Sequence, residues 1–119
     1  MGSEAEKYKS YAQRSLEEEA YDLACFLAQQ SAEFLLKGVL IREVEARPLT
    51  HSLYEMAKRL AQVHTVVLTE NVARCAKSLE EHYVQARCPD ARLGPYERWE
   101  AEECLRCLEM LWRWIGGLK

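Results

Sequence analysis

Between Ser3 and Lys37 the chain contains neither proline nor glycine. Few prolines or glycines punctuate the rest, and this run is rich in Ala, Leu, Glu, Gln and Lys, the residues that cost least in a helix. Its apolar positions recur at helical spacing: Tyr8, Ala12 and Leu16, then Ala20, Ala24, Leu27, Phe34 and Leu35. One uninterrupted helix of that length is unusual in a small domain. A break is therefore expected near Glu18 to Asp22, with Asp22 as the capping residue.

The next punctuation is the connector "EARPLTHSLYE", where Pro48 ends the preceding helix. Ser52-Leu53-Tyr54-Glu55 has the spacing of a capping box, in which hydroxyl and carboxylate satisfy each other's free backbone N–H groups. Leu53, Met56, Ala57 and Leu60 then share one helix face. "VHTVVL" is β-branched, but a lone strand has nothing to pair with, so it reads as loop or frayed helix. From Leu68 a stripe of Leu68, Val72, Cys75, Ala76, Leu79, Tyr83 and Ala86 predicts one more helix, stopped by Pro89. Gly94-Pro95 suits a helix start and Gly116-Gly117 a helix stop. The expected fold is all-α, an up-and-down bundle of about five helices forming one domain over residues 1–119.

A chain of this length buries roughly two thirds of its unfolded surface, enough for a core without metal or disulfides. No transmembrane run is apparent, and the first segment, "MGSEAEKYKS", is charged where a signal peptide would be apolar. No membrane association and a cytoplasmic location are expected. The net charge of −3 argues against a broad electrostatic grip on nucleic acid, although Arg87, Arg92 and Arg98 lie close enough in sequence for a local basic patch. Five cysteines make an odd set without framework spacing, which reads as free thiols in a reducing compartment.

The last helix carries two apolar faces. Ala101, Cys104, Leu105, Leu108, Leu111, Trp112 and Ile115 form one, and Cys107, Met110 and Trp114 form another beside it. Two faces require two neighbours, and a homodimer supplies the second as economically as an internal helix does. Cys104 and Cys107 make a C-x2-C pair with no partner pair, so no metal site and no cofactor are expected. His51, His64 and His82 are the groups able to act as acid or base near neutral pH, but no Ser-His-Asp or Cys-His set follows from spacing. "FLAQQSAEFLLKG" aligns Gln30, Glu33 and Lys37 along one flank, with Glu33 and Lys37 in the favourable i, i+4 order.

Three stretches stand out together: Gln30-Ser31-Ala32-Glu33 followed by Lys37, then Thr50-His51-Ser52-Leu53, then Tyr83 with Arg87-Cys88-Pro89-Asp90. In this order and spacing they resemble the HEPN family (higher eukaryotes and prokaryotes nucleotide-binding), whose pattern runs Q-x-A-E-x-x-x-K, T-H-S-L, and a tyrosine before R-Y-P-D. Cys88 departs from that pattern, where the family usually has an aromatic. The resemblance implies a helical bundle, usually dimeric and often encoded beside a minimal nucleotidyltransferase in toxin–antitoxin-like pairs. It also implies a nucleotide or RNA ligand held by Gln30, Lys37, His51, Tyr83, Arg87 and Asp90. Arginine and lysine would meet phosphate, tyrosine the base, and aspartate would orient the arginine.

Many family members are ribonucleases with R-x4–6-H, in which arginine grips phosphate and histidine works on the 2′-hydroxyl. After Arg87 that window holds no histidine. Arg59 to His64 fits the spacing, but residues five apart on a helix point about 140° away from each other. The expectation is thus a nucleotide-binding or interaction module rather than an enzyme. The alternatives are a metal-independent ribonuclease toxin, using Arg59 or Arg87 with His64 or His82, and a non-catalytic scaffold.

Overall fold

The computed structural model of the protein describes residues 2–44, 50–86, 88, 90 and 92–118. Among them the helices are α1 (Gly2–Glu17), α2 (Tyr21–Val44), α3 (Leu53–His64), α4 (Glu70–Glu80), the single turn α5 (His82–Gln85) and α6 (Arg98–Gly116), with no strand. Since α5 continues the course of α4 after Glu81, the all-α bundle of five principal helices expected from the sequence is the fold observed.

The break in the long first run falls at Glu18–Ala20. Glu19 takes the left-handed conformation (φ 63°). The Ala20 N–H reaches back to the Ser15 carbonyl (2.8 Å) and the Glu19 N–H to that of Leu16 (3.1 Å). This paired reach-back closes the helix end and reverses the chain. Asp22 is not the cap: the Ala20 carbonyl accepts the first bond of α2 from Ala24, and Asp22 sits inside the first turn, where its charge suits the helix dipole. Thr65 ends α3 in the same left-handed way (φ 55°), a conformation costing an L-residue about 1 kcal/mol.

Helix α2 is the centre of the molecule, packed against every other helix. It is apolar nearly all round, burying Ala24, Cys25, Ala28, Ala32, Leu36 and Leu40. By length and composition it would also suit a membrane span, but its burial among helices accounts for that apolarity. The contact with α1 is close because Ala5 and Ala12 are fully buried, and the Ser31 hydroxyl donates to the Ala5 carbonyl (2.7 Å). Phe34, expected in the core, instead lies at the surface, stacked on Tyr8.

The two apolar faces of α6 are used internally. Ala101, Cys104, Leu108 and Leu111 are buried, and α6 contacts α2, α4 and α1. Cys107 reaches α4 and forms a disulfide with Cys75, a correction to the expectation of five free thiols. Their Cα atoms, 32 residues apart in sequence, come within 5.0 Å when α4 packs on α6, a separation no local pattern reveals. Helix α6 also starts three residues later than Gly94-Pro95 suggested. Glu97 is its N-cap, and the Glu97 N–H donates to Glu100 Oε1 (3.1 Å).

Candidate functional site

The α2 flank that the sequence singled out is organised around Glu33, which is almost fully buried. Lys37 Nζ lies 2.7 Å from Glu33 Oε2, one turn along the helix. One turn back, Gln29 Nε2 donates to Glu33 Oε1 (2.9 Å), and Gln30 Nε2 donates to Gln29 Oε1 (2.7 Å). From outside the helix, His51 Nδ1 approaches Glu33 Oε2 at 2.9 Å. Burial pushes the Glu33 carboxyl up, but the contacts from Lys37, Gln29 and His51 outweigh it and hold the group below its ordinary value. A carboxylate only accepts, so the proton of that bond sits on His51 Nδ1 and the outer nitrogen, Nε2, is left available.

His51 is held there by the head of α3. Ser52 caps the helix by accepting from the Glu55 N–H (3.2 Å). The reciprocal half of the expected capping box is replaced: the Ser52 N–H donates to Thr50 Oγ1 (2.9 Å). The carboxylate at this helix start comes from α4, where Glu80 Oε1 accepts from the Ser52 hydroxyl (2.8 Å) and the Tyr54 N–H (3.1 Å). A tertiary carboxylate thereby satisfies donors that a local one was expected to satisfy.

The imidazole of His51 stacks on Tyr83 of α5, with ring centroids 5.1 Å apart and planes 20° from parallel. The Gln30–Lys37 flank and the Tyr83 end therefore do meet, through Glu33 and His51. Lys37 is less available than the sequence suggested, because Glu33 already neutralises it. Asp90 is exposed; Arg87, and with it the expected Arg87–Asp90 pair, lies outside the described residues. The hub Glu33 was legible only as half of a helical ion pair, since its bond to His51 spans 18 residues.

The other titratable candidates lie apart from this platform. Arg59 is exposed on α3, and His64 at the end of that helix is paired with Glu43 of α2. His82 is buried at 8% exposure, its Nδ1 2.7 Å from the Tyr96 hydroxyl. Burial, with some help from Arg92, lowers its pKa against the opposing pull of Glu100, so the ring is neutral at physiological pH. Burial likewise pushes the Tyr96 phenol up to about 12, although its contact with Arg92 opposes the shift. Arg92 is not free to form a basic patch, since its guanidinium covers the Tyr96 ring and bonds both oxygens of Glu100 at 2.7 and 2.8 Å. A groove of about 490 Å³ opens beside these residues, with Tyr21, Asp22, Gln85 and Leu93 in its walls. None of the Glu33 platform lines it.

A family model of the HEPN domain matches residues 2–118. Comparison with curated protein sequences returns no match. Among solved structures, the crystal structure of TT1696 from Thermus thermophilus is 30% identical, covering 99% of this chain and 94% of that one, with a TM-score of 0.87. The crystal structure of ST0689, an archaeal HEPN homologue, is 28% identical with the same coverage and a TM-score of 0.74. With the motif residues of α2, the α3 head and α5 joined as described, and a match running nearly end to end, the chain belongs to the HEPN domain family.

Proposed function

We propose that the protein is a nucleotide-binding HEPN module whose ligand site is the Glu33–His51–Tyr83 platform. The observation that carries this reading is the fixed imidazole: Glu33 holds one nitrogen of His51, and the ring, stacked on Tyr83, keeps 62% of its side-chain surface in solvent. Such a ring offers one flat face for a base and one acceptor nitrogen for a ribose hydroxyl or an amino group. Lys37 contributes orientation through Glu33 more than it contributes charge. The phosphate-binding charge falls to Arg87, four residues after Tyr83 in the sequence, with Asp90 orienting it. Gln30 closes the far end of the network through Gln29.

In this reading the protein is cytoplasmic, forms a homodimer and acts with a separately encoded minimal nucleotidyltransferase in a toxin–antitoxin-like pair. Exposed Leu23, Val84 and Trp99 supply apolar surface for such contacts. Calorimetric titration with adenine and guanine nucleotides tests the ligand, and heat lost in His51→Ala and Arg87→Ala is the expected outcome. A wild-type protein that yields no heat at high ligand concentration, and keeps the same binding partners after Arg87→Ala, refutes the reading. Light scattering tests the dimer, and co-purification with a neighbouring nucleotidyltransferase tests the pair.

The same dyad favours one second reading, a metal-independent ribonuclease. A carboxylate that orients an imidazole by one nitrogen is the arrangement of a general base, here with His51 in the role expected of His64 or His82. Cleavage of total RNA in EDTA that disappears in His51→Ala would establish it; intact RNA excludes it.

A further inference from the structure

The C-x2-C pair of α6 does not act as a unit. Cys107 turns to α4 and its disulfide, whereas Cys104 turns to α2, where its sulfur lies 2.7 Å from that of Cys25. His82 of α5 completes the group: a ring nitrogen and both sulfurs lie within 4.8 Å of one another, and all three residues are buried. Three soft donors from three helices thus converge on one point in the core.

We propose that Cys25, Cys104 and His82 form a structural site for a thiophilic divalent cation, zinc(II). All three donor atoms lie within 4.8 Å of one another, so small side-chain shifts bring them to the bonding distances of a shared zinc, Zn–S near 2.3 Å and Zn–N near 2.0 Å. Two sulfurs bound to one tetrahedral zinc stand about 3.7 Å apart, so the cysteines separate by about 1 Å on binding, within the reach of side-chain rotation. Charge favours zinc: two thiolates and a neutral imidazole around a dication leave no net charge in the core, where an unpaired charge is costly. Each thiol loses its proton on binding, and the two protons leave to solvent. Tyr96, bonded to His82 Nδ1, holds the ring in the core and leaves the other ring nitrogen for the cation. In the metal-free protein the Cys25 thiol donates to the Glu100 carbonyl of α6 (3.6 Å), a bond given up when the thiol is deprotonated.

The alternative, a second disulfide between Cys25 and Cys104, accounts for the sulfurs and leaves His82 with Tyr96 as its partner. Because His82 immediately precedes Tyr83, a cation bound here ties α5 to α2 and α6 from beneath the half-buried tyrosine.

The test uses the full chain purified from zinc-supplemented cells. Mass spectrometry of the intact and digested protein reports which cysteines are paired, and elemental analysis reports zinc per chain. One zinc per chain is expected in the wild type and in Cys88→Ser, whose exposed thiol lies outside the site. In Cys25→Ala, Cys104→Ala and His82→Ala the content is expected to fall close to zero. Cobalt(II) in the wild type is expected to give sulfur-to-cobalt charge-transfer and tetrahedral d–d bands, a readout that needs no variant to fold. Wild-type protein with free thiols at Cys25 and Cys104 that retains no zinc and gives no such bands overturns the proposal. So does a Cys25–Cys104 disulfide in the zinc-supplemented protein.

Discussion

Two histidines in this molecule each meet a tyrosine ring, at centroid distances of 5.1 Å for His51–Tyr83 and 5.4 Å for His82–Tyr96. The pairs are alike in composition and opposite in use. His51 stands mostly in solvent, oriented by an ionised carboxylate, with a nitrogen to offer. His82 is buried and neutral, bonded to a phenol and directed toward two sulfurs. His82 and Tyr83 are also neighbours on one turn of helix, one buried in the core and the other half-buried against His51. An imidazole's role is thus set by what surrounds it, and one short helical turn serves both environments at once.

That contrast is open to direct attack. The largest effect is expected from Glu33→Ala, which strips His51, Lys37 and the fully buried Gln29 of their common acceptor. The loss should be about 4 kcal/mol in urea unfolding, the scale of breaking a buried charged network. A loss below about 1 kcal/mol would mean the hub is a surface pair in disguise. The pH dependence follows from the same residue. Its folded carboxyl titrates below the ordinary value of 4.5, so its contribution is complete above that pH and disappears as pH falls through the lowered folded value. Unfolding midpoints followed from neutral pH into acid should fall there in the wild type and show a shallower fall in Glu33→Gln.

Next comes His82→Ala, expected to cost about 3 kcal/mol in metal-free protein, because it opens a cavity and removes a partner of the Tyr96 hydroxyl. Ser52→Ala should cost about 1 kcal/mol through the lost cap on α3. It should also loosen His51, visible as faster hydrogen exchange at the head of α3. Smallest is His51→Ala, at less than about 1 kcal/mol, since a hydrogen bond from a mostly exposed ring contributes little to folding. A large stability loss from His51→Ala, or none from His82→Ala, would reverse the assignment of the two rings.

Much of the bundle was readable because helices advertise themselves over three or four residues. The stripes Leu53-Met56-Ala57-Leu60 and Val72-Cys75-Ala76-Leu79 predicted the buried faces of α3 and α4. Where the pattern left two positions equally good, it misled. After Leu79 both His82 and Tyr83 fall on the core side of a regular helix, and the expected stripe took Tyr83. In the structure His82 is the buried one of the two, and Tyr83 is half-buried and stacked on His51. The Glu33–Lys37 pair was visible in the sequence, yet its centrality was not, because His51 and Tyr83 reach it from other helices. The capping box at Ser52 failed by half for a similar reason: Glu80, remote in sequence, occupied the place that Glu55 was expected to fill.

What the chain settles by itself is local: a proline-free, glycine-free run must coil, apolar residues at helical spacing must seek a core, and motifs one turn apart must share a face. Backbone sterics and hydrogen bonding act over a few residues and need no partner to do so. The Glu33–His51 bond, the Cys75–Cys107 disulfide and the meeting of Cys25, Cys104 and His82 are of another kind. Each joins side chains whose separation along the sequence says nothing of their distance in space. Only the packing of whole helices, set by how small residues such as Ala5, Ala28 and Ala32 let their axes approach, brought those atoms within bonding range.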